Sequence, residues 1–380
     1  MPRVDLKLAV EVERTPRVAQ IEGIFDMPEA KRSEVEFHFD VPLDAQPWQV
    51  GLIVGPSGAG KTSVARHLFG DAMVAGYEWH PARAVVDGFT GPDGAPLPVH
   101  EVQRALSSVG FSSPPSWIRP FRVLSNGEQF RATMARALVD PRPLICIDEF
   151  TSVVDRTVAR IGAAAFSKAV RRDPGKQFVA VTCHEDVAEW LQPDWILEPQ
   201  VGRFTWRLLQ RRPPIALEIV RAEYSAWRWF SHHHYMSAEL HRSVRCFVGM
   251  IDGKPVAFGS YLKMPHPDVK TFWSFNRVVV LPDYQGLGLG TGAFIDPVAA
   301  IGATLGHRVI VHPAHPGQIK ALAKSPNWNM TSVPRFANRA GKTATAGSGH
   351  ATRRRVAHFE YVGPKLSGEQ AEQARRLWDG

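Results

Sequence analysis

V-G-L-I-V-G-P-S-G-A-G-K-T-S, Val50 to Ser63, is the stretch whose reading decides the fold of the first part of this chain. Val50 to Val54 is an apolar run of strand length, and Gly55 to Thr62 then fills every fixed position of G-x-x-x-x-G-K-[ST]. Such a loop cradles phosphate. Its glycines let the backbone wrap closely, so that successive N–H groups point at phosphate oxygens, and the helix opening near Gly60 adds its positive end. Gly55, Ser57, Gly58 and Gly60 build the cradle, while Lys61 is expected to reach the β- and γ-phosphates. Thr62, followed by Ser63, is expected to offer a hydroxyl oxygen to magnesium. The stretch predicts an ATP site that uses Mg2+.

Further motifs follow in order. Leu124-Ser125-Asn126-Gly127-Glu128-Gln129 opens a helix predicted over Phe130 to Val139, with Ser125 as a good N-cap and Gly127 beside it at a second anion-facing helix start. Pro143 to Ile147 reads as an apolar strand ending in Asp148 and Glu149. In a phosphate-loop protein, Asp148 is placed to hold the metal and Glu149 to polarise the attacking water. Another strand, Phe178 to Thr182, precedes His184, which stands where a γ-phosphate sensor is expected. Residues 1–47 alternate as half-buried antiparallel strands do, and Phe111 to Arg122 favours an ordered loop.

Together these motifs resemble the ATP-binding-cassette (ABC) family of ATPases over residues 1–210, Thr151-Ser-Val-Val-Asp155 standing for the family's D-loop. The resemblance implies that two copies sandwich ATP, Ser125 and Gly127 of one completing the site around Lys61 of the other. An ATP-dependent homodimer is expected. The chain departs from the family pattern at Asn126 and Glu128. Gln103 is the candidate Q-loop glutamine, and the aromatic that stacks on adenine is open among Phe25, Phe37 and Phe39.

Arg211-Arg212-Pro213-Pro214 reads as a stiff linker, residues 215–365 as a second domain and 366–380 as a tail. Ile251-Asp-Gly-Lys-Pro255 turns a hairpin. Phe272 to Leu281 is a strand running into Gln285-Gly286-Leu287-Gly288-Leu289-Gly290, with a helix to about Leu305 and a parallel strand His307 to His312 beyond. Strand, glycine turn and helix make another anion cradle. A dinucleotide fold would want G-x-G-x-x-G early in the domain and an acid about 20 residues on, and neither holds. Q-x-x-G-x-G after R-V-V-V-L-P resembles motif A of the GNAT acyltransferase superfamily. By that resemblance, N–H groups from Gln285 to Gly290 bind the pyrophosphate of acetyl-CoA or another acyl-CoA. Val278 to Val280 would pair with the pantetheine arm and carry the oxyanion donor. The whole chain resembles a bacterial and phage group of ABC-type ATPases fused to a predicted acetyltransferase. The family's tyrosine is missing after the second cofactor strand, where the chain reads His312-Pro-Ala-His315. His234 as base and Tyr235 as acid are the candidates on the acceptor side, a run that packing at a helix end would equally explain.

Composition sets outer limits. The 380 residues suit two domains, and no apolar run approaches the roughly 20 residues of a membrane span. Cys146, Cys183 and Cys246 are too few and scattered for a disulfide framework, so a reduced, cytoplasmic protein without a membrane partner is expected. From Phe204 onward 23 Lys and Arg stand against 11 Asp and Glu, while the net charge of the whole chain is +8. The second half therefore favours a polyanion, nucleic acid or a phosphorylated cofactor, with ordinary surface charge the alternative. Arg353-Arg354-Arg355 closes a small, basic, unpatterned segment.

The fold class expected is α/β, an N-terminal ABC-type phosphate-loop ATPase domain followed by a C-terminal GNAT-like mixed α/β acyltransferase domain. The function expected is acyl transfer from acyl-CoA to a large acceptor, DNA or RNA foremost, gated by an ATP clamp. Two rivals stand beside it: a nucleic-acid-binding ATPase with a non-catalytic GNAT-like docking module, and an ATP-regulated protein N-acetyltransferase.

Overall fold

The computed structural model describes residues 3–11, 13–25, 32–207, 215–234, 239–265, 271–336 and 355–379. In chain order these form β1 (Arg3–Glu11), α1 (Pro16–Phe25), β2 (Arg32–Asp40), β3 (Val50–Val54), α2 (Lys61–Phe69) and β4 (Met73–Val74). Three helices follow, α3 (Val99–Ser108), α4 (Pro114–Trp117) and α5 (Asn126–Val139). Then come β5 (Leu144–Ile147), α6 (Arg156–Val170), β6 (Gln177–Thr182), α7 (Val187–Leu191), β7 (Trp195–Glu198) and β8 (Arg203–Trp206). The second half holds β9 (Glu218–Ala222), β10 (Arg245–Ile251), β11 (Lys254–Lys263), β12 (Phe272–Val280) and α8 (Ile295–Thr304). It ends with β13 (Arg308–Val311), α9 (Pro316–Lys324), β14 (Trp328–Phe336), β15 (Arg355–Tyr361) and α10 (Gly368–Asp379). The chain divides into two compact units, Met1–Glu78 with Asp140–Val154 and Phe166–Arg212, and Trp79–Val139 with Asp155–Ala165 and Pro213–Gly380.

In the first unit the sheet order is β4-β5-β6-β3-β7-β8, parallel except for the β7–β8 hairpin. Every residue of β3 is buried, as a central parallel strand requires. Gly51 has no room for a side chain: a Cβ there would lie 2.0 Å from the Trp195 ring. Asp194 fixes the start of β3 by accepting from the N–H groups of Gln49 (2.8 Å) and Val50 (2.9 Å). β1 and β2 pair antiparallel, as their alternation predicts, and Val4 and Phe37 join the core of Ile53 and Val64.

The second unit carries a seven-stranded sheet, β14-β15-β13-β12-β11-β10-β9, in which β12 and β13 are parallel and the other pairs antiparallel. Its core joins Phe247, Tyr261 and Phe294 to Trp378. The stretch 366–380 is therefore not a tail. It contains α10, whose Trp378 is 3% exposed and packs on Phe247, Tyr261, Trp273 and His307.

One further expectation needs a smaller correction. Phe111 to Arg122 holds the one-turn helix α4, pinned by Trp117 Nε1 donating to Phe111 O at 3.0 Å. Cys183 is exposed, whereas Cys146 and Cys246 are buried. Burial, aided by Asp148, pushes the Cys146 thiol up to about 12, and burial raises Cys246 to about 11. The linker 211–214, Tyr235 and Arg353-Arg354 lie outside the described residues.

Candidate functional site

Three parallel strands bring the first set of residues together. β5, β6 and β3 are neighbours in register Ile147↔Ala180 and Val54↔Thr182, so their C-terminal ends share one edge. Strands stand about 4.8 Å apart, and the loop after β3, His184 after β6 and Asp148-Glu149 after β5 therefore meet along a short strip. Gly58 and Gly60 take φ of 80° and 76°, the left-handed region that glycine adopts freely. A Cβ at Gly60 would sit 2.2 Å from the Phe37 ring, which makes Phe37 a floor for the loop. Among the described residues no backbone carbonyl accepts from the N–H groups of Gly58, Gly60, Lys61, Thr62 or Ser63. Lys61 is buried and donates its Nζ to Pro56 O at 2.8 Å, so its charge is held at the loop itself.

Glu149 stands in a turn of strained backbone. Glu149 and Thr151 have φ of 52° and 73°, which costs a non-glycine residue on the order of 1–3 kcal/mol. Phe150 between them is buried, donates its N–H to Val181 O at 2.9 Å and packs on Phe166 and Phe178. Glu149 Oε2 accepts from Ser152 Oγ at 2.5 Å, and Glu149 N–H donates to Asp148 Oδ1 at 2.9 Å. His184 N–H donates to Thr182 Oγ1 at 3.2 Å, while its Nδ1 is buried with no partner among the described residues.

In the second unit, α5 opens on a capping box. Glu128 N–H donates to Ser125 Oγ at 3.3 Å, and Ser125 N–H donates to Glu128 Oε2 at 2.9 Å. Glu128 also accepts from Ser116 Oγ at 2.6 Å. Burial would raise its pKa, but these hydrogen bonds prevail and hold it below the usual carboxylate range. Its departure from the resembled pattern is thus a structural cap, and S-x-x-E was the signal. Ser125 is exposed and Gly127 buried. A Cβ at Gly127 would come within 3.2 Å of Val158 Cγ1 and 3.5 Å of Asp283 Oδ1. One turn on, Arg131 is 1% exposed and its Nη2 lies 3.5 Å from the same Asp283 oxygen.

Asp283 begins the second cradle. Gly286 and Gly288 have φ of 100° and 81°. No backbone carbonyl among the described residues accepts from the N–H groups of Gly286, Leu287, Gly288, Leu289 or Gly290. Gln285 differs from its expected role, because its N–H already donates to Pro282 O at 3.2 Å. Its side chain instead braces the loop, accepting from Ser112 N–H at 2.8 Å and donating to Val280 O at 3.1 Å. The helix does not open directly from the cradle either: a 3-10 turn, Leu289–Thr291, intervenes before α8. β12 pairs with β13 only over Phe272 to Ser274, so Val278 and Val280 lie on an edge that no strand among the described residues covers on that side. Among the described residues, then, five amides that no backbone carbonyl uses stand beside this strand edge, donors of the kind that a pyrophosphate or a carbonyl group could accept from. Of the acid–base candidates, His234 lies with its ring 5.8 Å from that of Trp227. Sequence reasoning missed Ser112, Arg131 and Asp283, which no motif marks.

Comparison with known proteins gives two sets of likenesses. The acetyltransferase (GNAT) family model matches residues 186–295, which include β9 to β12 and the second cradle. The iron import ATP-binding protein FbpC 3 of Rhodococcus jostii is 32% identical over 147 residues, 30% of this chain and 42% of that protein. The cytochrome c biogenesis ATP-binding export protein CcmA of Rhodospirillum rubrum is 31% identical over 164 residues, 36% of this chain and 68% of that one. The chain thus spans less than half of FbpC 3 and about two thirds of CcmA. A bacterial ABC transporter cassette solved as a dimer has 16% identity and a TM-score of 0.35 over 47% of this chain and 93% of its own. Among the described residues no helix is long and apolar enough to cross a membrane.

Proposed function

We propose, for a chain that belongs to the ABC ATPases and carries a GNAT domain behind its cassette, that ATP hydrolysis between two copies gates acyl transfer to a large polyanionic acceptor, DNA or RNA. The observation that carries this reading is the pair of cradles, one after β3 and one after β12, each with amides that no backbone carbonyl among the described residues uses. In the first, Lys61 holds the β- and γ-phosphates, and Thr62 and Asp148 hold Mg2+, which neutralises phosphate charge. Glu149 orients the water and His184 senses the γ-phosphate. In the second, Gly286 to Gly290 hold the pyrophosphate of acetyl-CoA or a related thioester, and Val278 and Val280 pair with its arm. Gating is supported by α5, which bears Ser125 and Gly127 at its start and Arg131 against Asp283 one turn later. The acceptor class rests on the excess of Lys and Arg after Phe204.

Gly288→Glu tests the acyl arm. It places a carboxylate and a strained backbone where pyrophosphate is to lie. Calorimetry is expected to show acetyl-CoA binding lost and ATP binding kept. No acetyl-CoA binding by the wild-type protein at millimolar ligand overturns this half of the reading. Mass spectrometry of nucleic acid and protein, with and without expression, identifies the acceptor.

A further inference from the structure

Acyl transfer to an amine needs a group that takes the amine's proton, and the head of the split between β12 and β13 supplies one. The two strands pair at Phe272↔Arg308, Trp273↔Val309 and Ser274↔Ile310 and then part. The open edge, Phe275 to Val280, is roughly 20 Å long at about 3.3 Å per residue. A thioester whose pyrophosphate rests on Gly286 to Gly290 therefore reaches the blind end, where the strands separate. Three groups gather there. Ser274 is buried, His312 follows Ile310 by two residues, and His358 stands on β15 with its ring centroid 4.3 Å from that of His312. Asn276 adds an Oδ1 that is buried with no partner among the described residues.

One assignment of the hydrogen bonds leaves the lone pair of His312 on Nε2. Ser274 Oγ lies 3.4 Å from His312 Nδ1, and the same hydroxyl donates to Phe275 O at 3.2 Å. A hydroxyl has one hydrogen. With that hydrogen on Phe275 O, Oγ accepts from Nδ1–H, and the lone pair is left on Nε2. Burial, then the neighbouring His358, lower the pKa of His312 to about 4, so the ring is neutral at pH 7. The residue as a whole keeps an exposed face.

We propose that His312, oriented by Ser274, is the general base of this acyl transfer, an inference that rests on the acyl-CoA reading of the second cradle. The amine nitrogen attacks the thioester carbonyl and forms the N–C bond, and Nε2 takes the nitrogen's proton. As the C–S bond breaks, His312 returns that proton to sulfur, leaving an amide and the free CoA thiol. Ser274 is a positioning residue.

The test uses the full chain, acetyl-CoA as donor and hydroxylamine as a small amine acceptor. Isotope-labelled histidine makes the imidazole resonances of His312 visible by NMR, assigned by their loss in His312→Gln. They are expected to show a protonated Nδ1 and to move on saturation with acetyl-CoA, whose binding is measured separately by calorimetry. His312→Gln is expected to bind acetyl-CoA within about twofold of wild type and to release CoA thiol roughly 100-fold more slowly. Ser274→Ala is expected to lose the Nδ1 preference and slow thiol release less. Bound acetyl-CoA with the His312 resonance unmoved, or thiol release by His312→Gln equal to wild type, overturns the proposal alone. No acetyl-CoA binding by wild type removes the cradle reading and the proposal with it.

Discussion

At the scale of single residues, a side chain's role follows from the groups that its chemistry must meet. Gly58, Gly60 and Lys61 announce themselves because phosphate needs close backbone and a cation at fixed offsets. Arg131 and Gln285 do not, because what they hold comes from Asp283 and Ser112, far away in the chain. Asp140 is another residue of this kind. It accepts from Arg142 at the backbone N–H (3.0 Å), Nε (2.9 Å) and Nη2 (2.7 Å), and from Tyr77 Oη (3.0 Å). Burial pushes its pKa up, but these hydrogen bonds and the Arg142 charge pull it down to about 2. A pKa lowered by folding adds stability above the unfolded value of about 3.9, and that stability is lost as pH falls through the folded value. Asp140→Asn is expected to cost about 2 kcal/mol at neutral pH. It should also flatten the loss of stability between about pH 4 and pH 2. Denaturant titrations across that range check it, and an unchanged slope in the variant contradicts the assignment.

At the scale of elements, legibility followed periodicity. β3, β5 and β6 are apolar runs and were readable as parallel strands, and the alternation of β1 and β2 was equally plain. α3 was missed because it is short and begins just after Pro98, although Val102, Ala105 and Leu106 mark its buried face. α10 was missed because its turns are almost wholly polar and one side chain, Trp378, does most of the burying. The Arg245 guanidinium stacks over that ring, and its Nη1 donates to Trp378 O. Trp378→Ala is therefore expected to destabilise the second unit by about 3–5 kcal/mol, whereas a loss of under 0.5 kcal/mol would suit a solvated tail. Chemical denaturation measures the change. Calorimetry with ATP is expected to show nucleotide binding intact, since Lys61 and its loop belong to the first unit.

At the scale of the whole molecule, the sequence presents its motifs as one block up to about residue 210, while spatial contacts group Trp79–Val139 and Asp155–Ala165 with the C-terminal sheet. Motif order reports chemistry and cannot report which surfaces pack, so that grouping was not readable. It bears on the clamp. Lys61, Asp148, Glu149 and His184 stand in the first unit, and Ser125 and Gly127 in the second. If the γ-phosphate of one copy is completed by Ser125 and Gly127 of another, ATP is a bridging ligand and binds the dimer in preference to the single chain. Charge-assisted hydrogen bonds from the phosphate loop and the α5 N-terminus to one phosphate would then supply the attraction, and hydrolysis would remove it. Glu149→Gln keeps the shape and a hydrogen bond at the turn held by Ser152 but loses the carboxylate proposed to orient water. It is expected to bind ATP, to turn over at least ~100-fold more slowly and to accumulate the bridged state. Light scattering is expected to find twice the single-chain mass with ATP and Mg2+, and the smaller species without them. Ser125→Arg is expected to abolish the larger species while leaving ATP binding in place, because the exposed cap lies outside the unit that carries Lys61. A single mass for Glu149→Gln, with and without nucleotide, would remove the clamp from this protein's mechanism.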